Sequence, residues 1–139
     1  MSDIKITDNT EAFRTALDKA IRNGLEAIGM TAETHAKKKI TDNKSVVTGR
    51  LRNSITYAIS GEKANIDTYT DDEGNTYSYS GTAPKDKQLA VYIGTNVDYG
   101  EFVELGTSRS KPYPFLKPAA TEHAEEYRRI FKAALDSAK

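Results

Sequence analysis

Two histidines and a pair of glutamates are the side chains best suited to chemistry at neutral pH. His35 and His123 carry ring nitrogens that exchange protons near physiological pH or ligate metals. Glu101 and Glu104 are three residues apart, which places both on one face of a helix. Paired carboxylates of that kind can serve as general acid and base. Each of these groups also has a plainer reading. Both histidines fall inside apolar periodic stretches, where a partly buried helix histidine is the ordinary role. The chain has no cysteine and no HxH or HExxH spacing, so the sequence calls for no metal and no cofactor. Acid–base work needs perturbed pKa values; without them the glutamates read as a solvated face or as partners in interface salt bridges. The run Gly106-Thr107-Ser108-Arg109-Ser110-Lys111 loosely echoes a phosphate loop. It lacks the GxxxxGK[ST] spacing and a strand-to-helix junction. No residue is assigned a catalytic role.

Binding chemistry has two candidates. Between 37 and 52 lie Lys37, Lys38, Lys39, Lys44, Arg50 and Arg52 against Asp42 alone, six minus one or a local charge of +5. Such a patch can hold a phosphate backbone. It can equally be a solvated helix end or a protein contact, because no Phe, Tyr or Trp between 31 and 56 supplies a base-stacking platform. Eight tyrosines stand against four phenylalanines, and tyrosine suits wet interfaces. Tyr69, Tyr77 and Tyr79 lie in a polar stretch, where interface contact and simple cross-strand pairing both fit.

These residues need a scaffold, and composition bounds it. The 139 residues suit one domain over 1–139, with an insertion or flexible hairpin at about 61–88. A hydrophobic fraction of 37% with zero formal net charge supports a core and gives no global field toward nucleic acid or membrane. No run reaches the roughly 20 apolar residues of a membrane helix, and MSDIKITDNT has neither the basic end nor the apolar stretch of a signal peptide.

Phe13, Leu17, Ile21, Leu25, Ile28, Ala32 and Ile40 recur at helical spacing over 9–41, with Asp8 and Glu11 spaced as a capping box. Gly24 and Gly29 interrupt that helix and mark close packing or a bend. Ile55, Tyr57 and Ile59 alternate as a strand, as do Leu89, Val91 and Ile93 up to Gly94. Between them, Asp72-Glu73-Gly74-Asn75 predicts a two-stranded excursion. Asp98 to Leu105 reads as a short helix capped by Asp98 and closed by a left-handed Gly106. Pro118 opens a helix that runs through Ala119, His123, Tyr127, Ile130, Ala134 and Leu135 to the C-terminus. The predicted class is α+β: a long N-terminal helix and a C-terminal helix packed on a small antiparallel sheet, with a polar hairpin-like insertion.

Tyr99, Phe102-Val103-Glu104-Leu105-Gly106-Thr107-Ser108 and Pro114-Phe115-Leu116-Lys117-Pro118-Ala119 resemble a Y-x-x-(x)-V-E-x-G-T-S … R-P-F-L-R-P-A signature. Thr48-Gly49-Arg50-Leu51-Arg52-Asn53-Ser54-Ile55 is similar to a T-G-x-L-R-x-S-I element. Both, with the T-G-x-L-R-x-S-I element first along the chain, resemble the gene-product-ten-like neck and tail-completion proteins of HK-type long-tailed bacteriophages. Tyr113 stands where a basic residue often precedes the Pro-Phe pair, Lys117 replaces an arginine, and the 61–88 excursion exceeds the family minimum. The resemblance implies a structural virion protein at the head–tail junction, made in the host cytoplasm, without enzymatic activity. Its partners would be neck, connector and tail proteins and copies of itself in a ring, close to DNA in the channel and away from membranes. Alternatives are a nucleic-acid-binding module using 37–52, a minor tail or head-surface component, and a small hydrolase or nuclease using Glu101, Glu104 and a histidine.

Gly49, Leu51, Gly106, Pro114, Phe115, Leu116 and Pro118 are then structural motif residues. Arg50, Arg52, Glu104, Thr107, Arg109 and Lys111 are the candidates for interaction. Pro112, Pro114 and Pro118 stiffen the loop before it binds. Phe115 and Leu116 are expected to anchor the last helix on the sheet, with Phe102 and Val103 opposite and Arg109 and Lys111 outside.

Overall fold

The computed structural model describes residues 10–42, 49–64, 67–70, 73–79, 81–86, 88–95, 97 and 100–137, with backbone alone at 49–50, 67–69 and 77–79. The proposed caps Asp8 and Asp98, with Lys44, Thr48, Tyr99, the Arg50 side chain and the rings of Tyr69, Tyr77 and Tyr79, lie outside that description.

Helix α1, Thr10–Asp42, spans about 50 Å at 1.5 Å per residue. Its buried line is Ala20, Gly24, Gly29, Ala32, Ala36 and Ile40. These are mostly small residues, so neighbouring elements approach its backbone closely. The larger apolar residues of the predicted stripe flank this line, and Phe13 points to solvent. Both helix glycines mark close packing. A Cβ on Gly24 would stand 2.9 Å from the Phe131 ring, and one on Gly29 would stand 2.5 Å from the Tyr57 ring.

Helix α2, Gly49–Ser54, leads into strand β1, Thr56–Ile59. Strand β1 pairs antiparallel with a strand far along the chain, Val91–Gly94, in the register Thr56↔Gly94 to Ile59↔Val91. Between them the chain makes a hairpin of β2, Asp67–Thr70, and β3, Thr76–Tyr79; Val91–Gly94 is therefore β4. Tyr69 and Tyr77 are directly opposed in the hairpin, and Gly74 takes φ +86° at its turn. A stem closes the excursion: Gly61 N–H donates to the Pro84 carbonyl, Ala83 N–H to Glu62 and Ala64 N–H to Gly81. Apart from the short helix α2, which the sequence reading did not predict, the order helix, strand, hairpin, strand is the one predicted.

Helix α3, Gly100–Leu105, ends at Gly106 with φ +79°, as predicted. The C-terminal helix differs from expectation. It is two helices, α4 (Leu116–Thr121) and α5 (Ala124–Asp136). Glu122 N–H closes α4 on the Pro118 carbonyl, and His123, at φ −123° and ψ 30°, starts α5 afresh. The Tyr127 hydroxyl reaches back across the break to the Ala119 carbonyl, so a side chain joins the two helices where the backbone ladder is interrupted.

The core gathers Ala36 and Ile40 of α1, Leu51 and Ile55, Val97, and Phe115 and Ala119, with Ile93, Val103 and Leu116 packed against it. Phe115 is completely buried and anchors α4, but in a core formed mainly with α1 and α2 and only partly with the sheet, through Ile93. Phe102 does not pack opposite it. It is 57% exposed, and Val103 alone supplies that contact. Neighbouring helix residues point about 100° apart, so only one of the two can face the core.

Candidate assembly surface

The segment from α3 to α4 is a clasp closed on itself. The Glu104 carboxylate accepts three backbone N–H groups at the start of α4: Phe115 at 2.6 Å, Leu116 at 3.0 Å and Lys117 at 2.8 Å. Those donors have no partner inside α4, and a carboxylate there also complements the helix dipole. The Tyr113 N–H donates to the Val103 carbonyl and fixes the returning strand of the loop. Thr107 organises the tip: its N–H donates to the Ser110 carbonyl at 2.8 Å, and its Oγ1 accepts from Arg109 N–H and Ser110 N–H. At Gly106, φ is positive and a Cβ would stand 2.8 Å from the Pro112 nitrogen. A side chain is excluded there on both counts.

The earlier motif is built the same way. Leu51, Ser54 and Ile55 are buried. The Ser54 hydroxyl donates to the Leu51 carbonyl at 2.6 Å and is hydrogen-bonded to the Thr95 hydroxyl. Gly100 lies against Leu51 and Thr95, so α3 rests on α2 through a glycine.

With its polar groups occupied internally, the clasp presents a defined outer face. Phe102 and Leu105 lie three apart on α3 and are exposed at 57% and 69%. In the loop that follows α3, Ser108, Arg109 and Ser110 are exposed. Lys111, also exposed, lies with Nζ 5.4 Å from the centre of the Tyr113 ring. A shallow groove lined by Val97, Gly100, Phe102, Leu105 and Leu116 together with Thr95 and Glu104 adjoins this surface. Glu101 is exposed at its rim. Phe102 and Leu105 were not among the residues that sequence reasoning assigned to interaction. Their i, i+3 spacing in a short helix is the signal that could have found them.

Among its described side chains, Lys37, Lys38, Lys39 and Arg52, the basic segment gives a less continuous surface. Lys37 is paired with Glu33 at 3.3 Å, and Lys37, Lys38 and Lys39 are successive helix residues that point about 100° apart. Arg52 is half-buried on α2. The two histidines are brought together across 88 residues of sequence. Their rings stack with centroids 3.5 Å apart and planes within 3°, and His35 Nε2 lies 2.7 Å from Glu126 Oε1. The His35 hydrogen bond holds the Glu126 carboxyl below its usual range. Among the described residues no helix is long and apolar enough to cross a membrane.

A family model described as "Bacteriophage HK97-gp10, putative tail-component" matches residues 4–106, more than half of the chain. The matched region ends at the glycine of the clasp, so α4 and α5 lie beyond it. No curated protein and no solved structure matches.

Proposed function

From the premise that the chain belongs to the HK97-gp10-like family of bacteriophage tail components, we propose that it is a structural virion protein acting at the head–tail joint. It completes the tail or joins it to the neck, and it does so by protein–protein assembly in a ring of copies. The observation that carries this reading is the clasp. Its motif residues are satisfied within the chain, and what they hold outward is an apolar pair, Phe102 and Leu105, beside a cationic tip of Arg109 and Lys111. An apolar centre with a polar rim is the usual anatomy of a protein interface. A pre-stiffened loop loses less entropy on docking. Partners are neighbouring neck, connector and tail proteins, with acidic groups opposite Arg109 and Lys111. The Glu101–Glu104 pair supports no catalytic reading, because Glu104 is occupied by three backbone donors.

The test is to silence the gene in its phage or induced prophage and examine the lysate by electron microscopy. DNA-filled heads beside unattached or malformed tails are expected. Tails of normal form attached to heads would overturn the joining role. Tails absent or of abnormal length would favour the second reading, a minor component of the tail body, which the family's description as a tail component supports.

A further inference from the structure

The seam between α1 and the α4–α5 junction holds a cluster of ligating side chains that assembly at α3 does not use. His35 comes from the second half of α1, His123 from the break between α4 and α5, and Glu126 from the first turn of α5. One ligand atom from each lies within 4.8 Å of the other two, and all three side chains are half-buried. Neither ring nitrogen of His123 has a hydrogen-bond partner among the described residues, whereas His35 Nε2 is paired with Glu126. The His123 ring nitrogens are therefore not committed to a protein partner and stand face to face with a histidine already held by a carboxylate.

We propose that His35, His123 and Glu126 bind a divalent first-row transition ion of the zinc class. The donor set decides the class of ion. Two imidazoles and one carboxylate suit zinc, copper, nickel or iron, whereas magnesium and calcium prefer oxygen ligands throughout. A tetrahedral ion with bonds of about 2.1 Å spaces its ligand atoms about 3.4 Å apart. Binding an ion would open the 2.7 Å His35–Glu126 contact to that spacing. The parallel rings tilt so that one nitrogen of each aims at a common point. Three protein ligands leave a fourth position for water or for a side chain of a neighbouring subunit. The Tyr127 hydroxyl is committed to the Ala119 carbonyl and is not a ligand.

The bound ion would clamp the C-terminal helix pair to α1. Helix α5 has no fully buried residue, so a cross-link at its first turn adds to the contact that it makes with α1 through Phe131 and Gly24. Sequence spacing conceals the site because its ligands come from opposite ends of the chain.

The experiment titrates zinc chloride into the untagged full chain, with heat of binding and thermal midpoint as readouts and magnesium chloride as the control. One zinc per chain, a midpoint that rises with zinc concentration and no response to magnesium are expected. Glu126→Gln and His123→Gln should each weaken zinc binding at least ~10-fold, on the scale seen when groups of a metal site are changed. Because these are the chain's two histidines, proton NMR of the unaltered protein provides a readout independent of any variant's folding: zinc should shift the ring resonances of both. No heat of binding with zinc in excess, affinity unchanged in both variants, or ring shifts confined to one histidine would each overturn the proposal.

Discussion

Glu104 and Phe115 define the clasp residue by residue. Removing the Glu104 carboxylate leaves three N–H groups at the start of α4 to find water or remain unpaired. Glu104→Ala should therefore cost about 1–3 kcal/mol in a denaturant titration, and Glu104→Gln less, since an amide oxygen still accepts. Phe115 is fully enclosed, and Phe115→Ala should cost about 3–5 kcal/mol by melting or denaturation; an unchanged melting curve would remove it from the core. Gly29 sets two effects against each other. Alanine is the better helix former by about 1 kcal/mol, but its methyl would stand 2.5 Å from the Tyr57 ring, and overpacking costs about 1–3 kcal/mol. Gly29→Ala should lower the midpoint. Of these positions, Gly106 and Phe115 could be read from sequence because a left-handed turn glycine and an apolar residue after proline are local signals. The Glu104 cap spans eleven to thirteen residues and depends on how the loop returns.

At the scale of elements, α1, β1, the hairpin, β4 and α3 were legible because their periodicity and turn residues act within a few positions. The break between α4 and α5 was not. The periodic residues on either side of it continue at helical spacing, and the interruption is stabilised by Tyr127 reaching back to Ala119, a tertiary detail. Nor could periodicity choose between Phe102 and Val103 for the core-facing side of α3. A further inter-element tie is Arg22 of α1, which donates to both oxygens of Glu62, beside the turn after β1, at 2.7 and 2.8 Å. That hydrogen bond lowers the Glu62 carboxyl from its ordinary value of 4.5. A carboxyl lowered by folding stabilises the fold above its unfolded pKa and loses that contribution as pH falls through the folded value. The stability difference between the natural chain and Glu62→Gln should thus be present at neutral pH and shrink below pH 4.5. Both partners are exposed, so the difference should be small and reduced by added salt. Paired denaturant midpoints at two pH values and two salt concentrations measure it.

For the whole molecule, the fold divides its work. The small-residue line of α1 lets the sheet and α5 pack closely, the core forms where α1 meets α2, Val97 and Phe115, and α3 with its loop stands on that core facing outward. The motif residues are mainly the means of building that outward face, and the exposed pair Phe102 and Leu105 sits among them at i, i+3 spacing on α3. Phe102→Asp with Leu105→Asp, supplied to a phage whose own copy is silenced, tests this most directly. Both side chains are already exposed, so the variant should keep the natural melting midpoint. The account predicts that it folds and yet leaves filled heads and tails unjoined in the electron microscope. Normally joined virions from the folded double variant would contradict it and remove the α3 face from assembly.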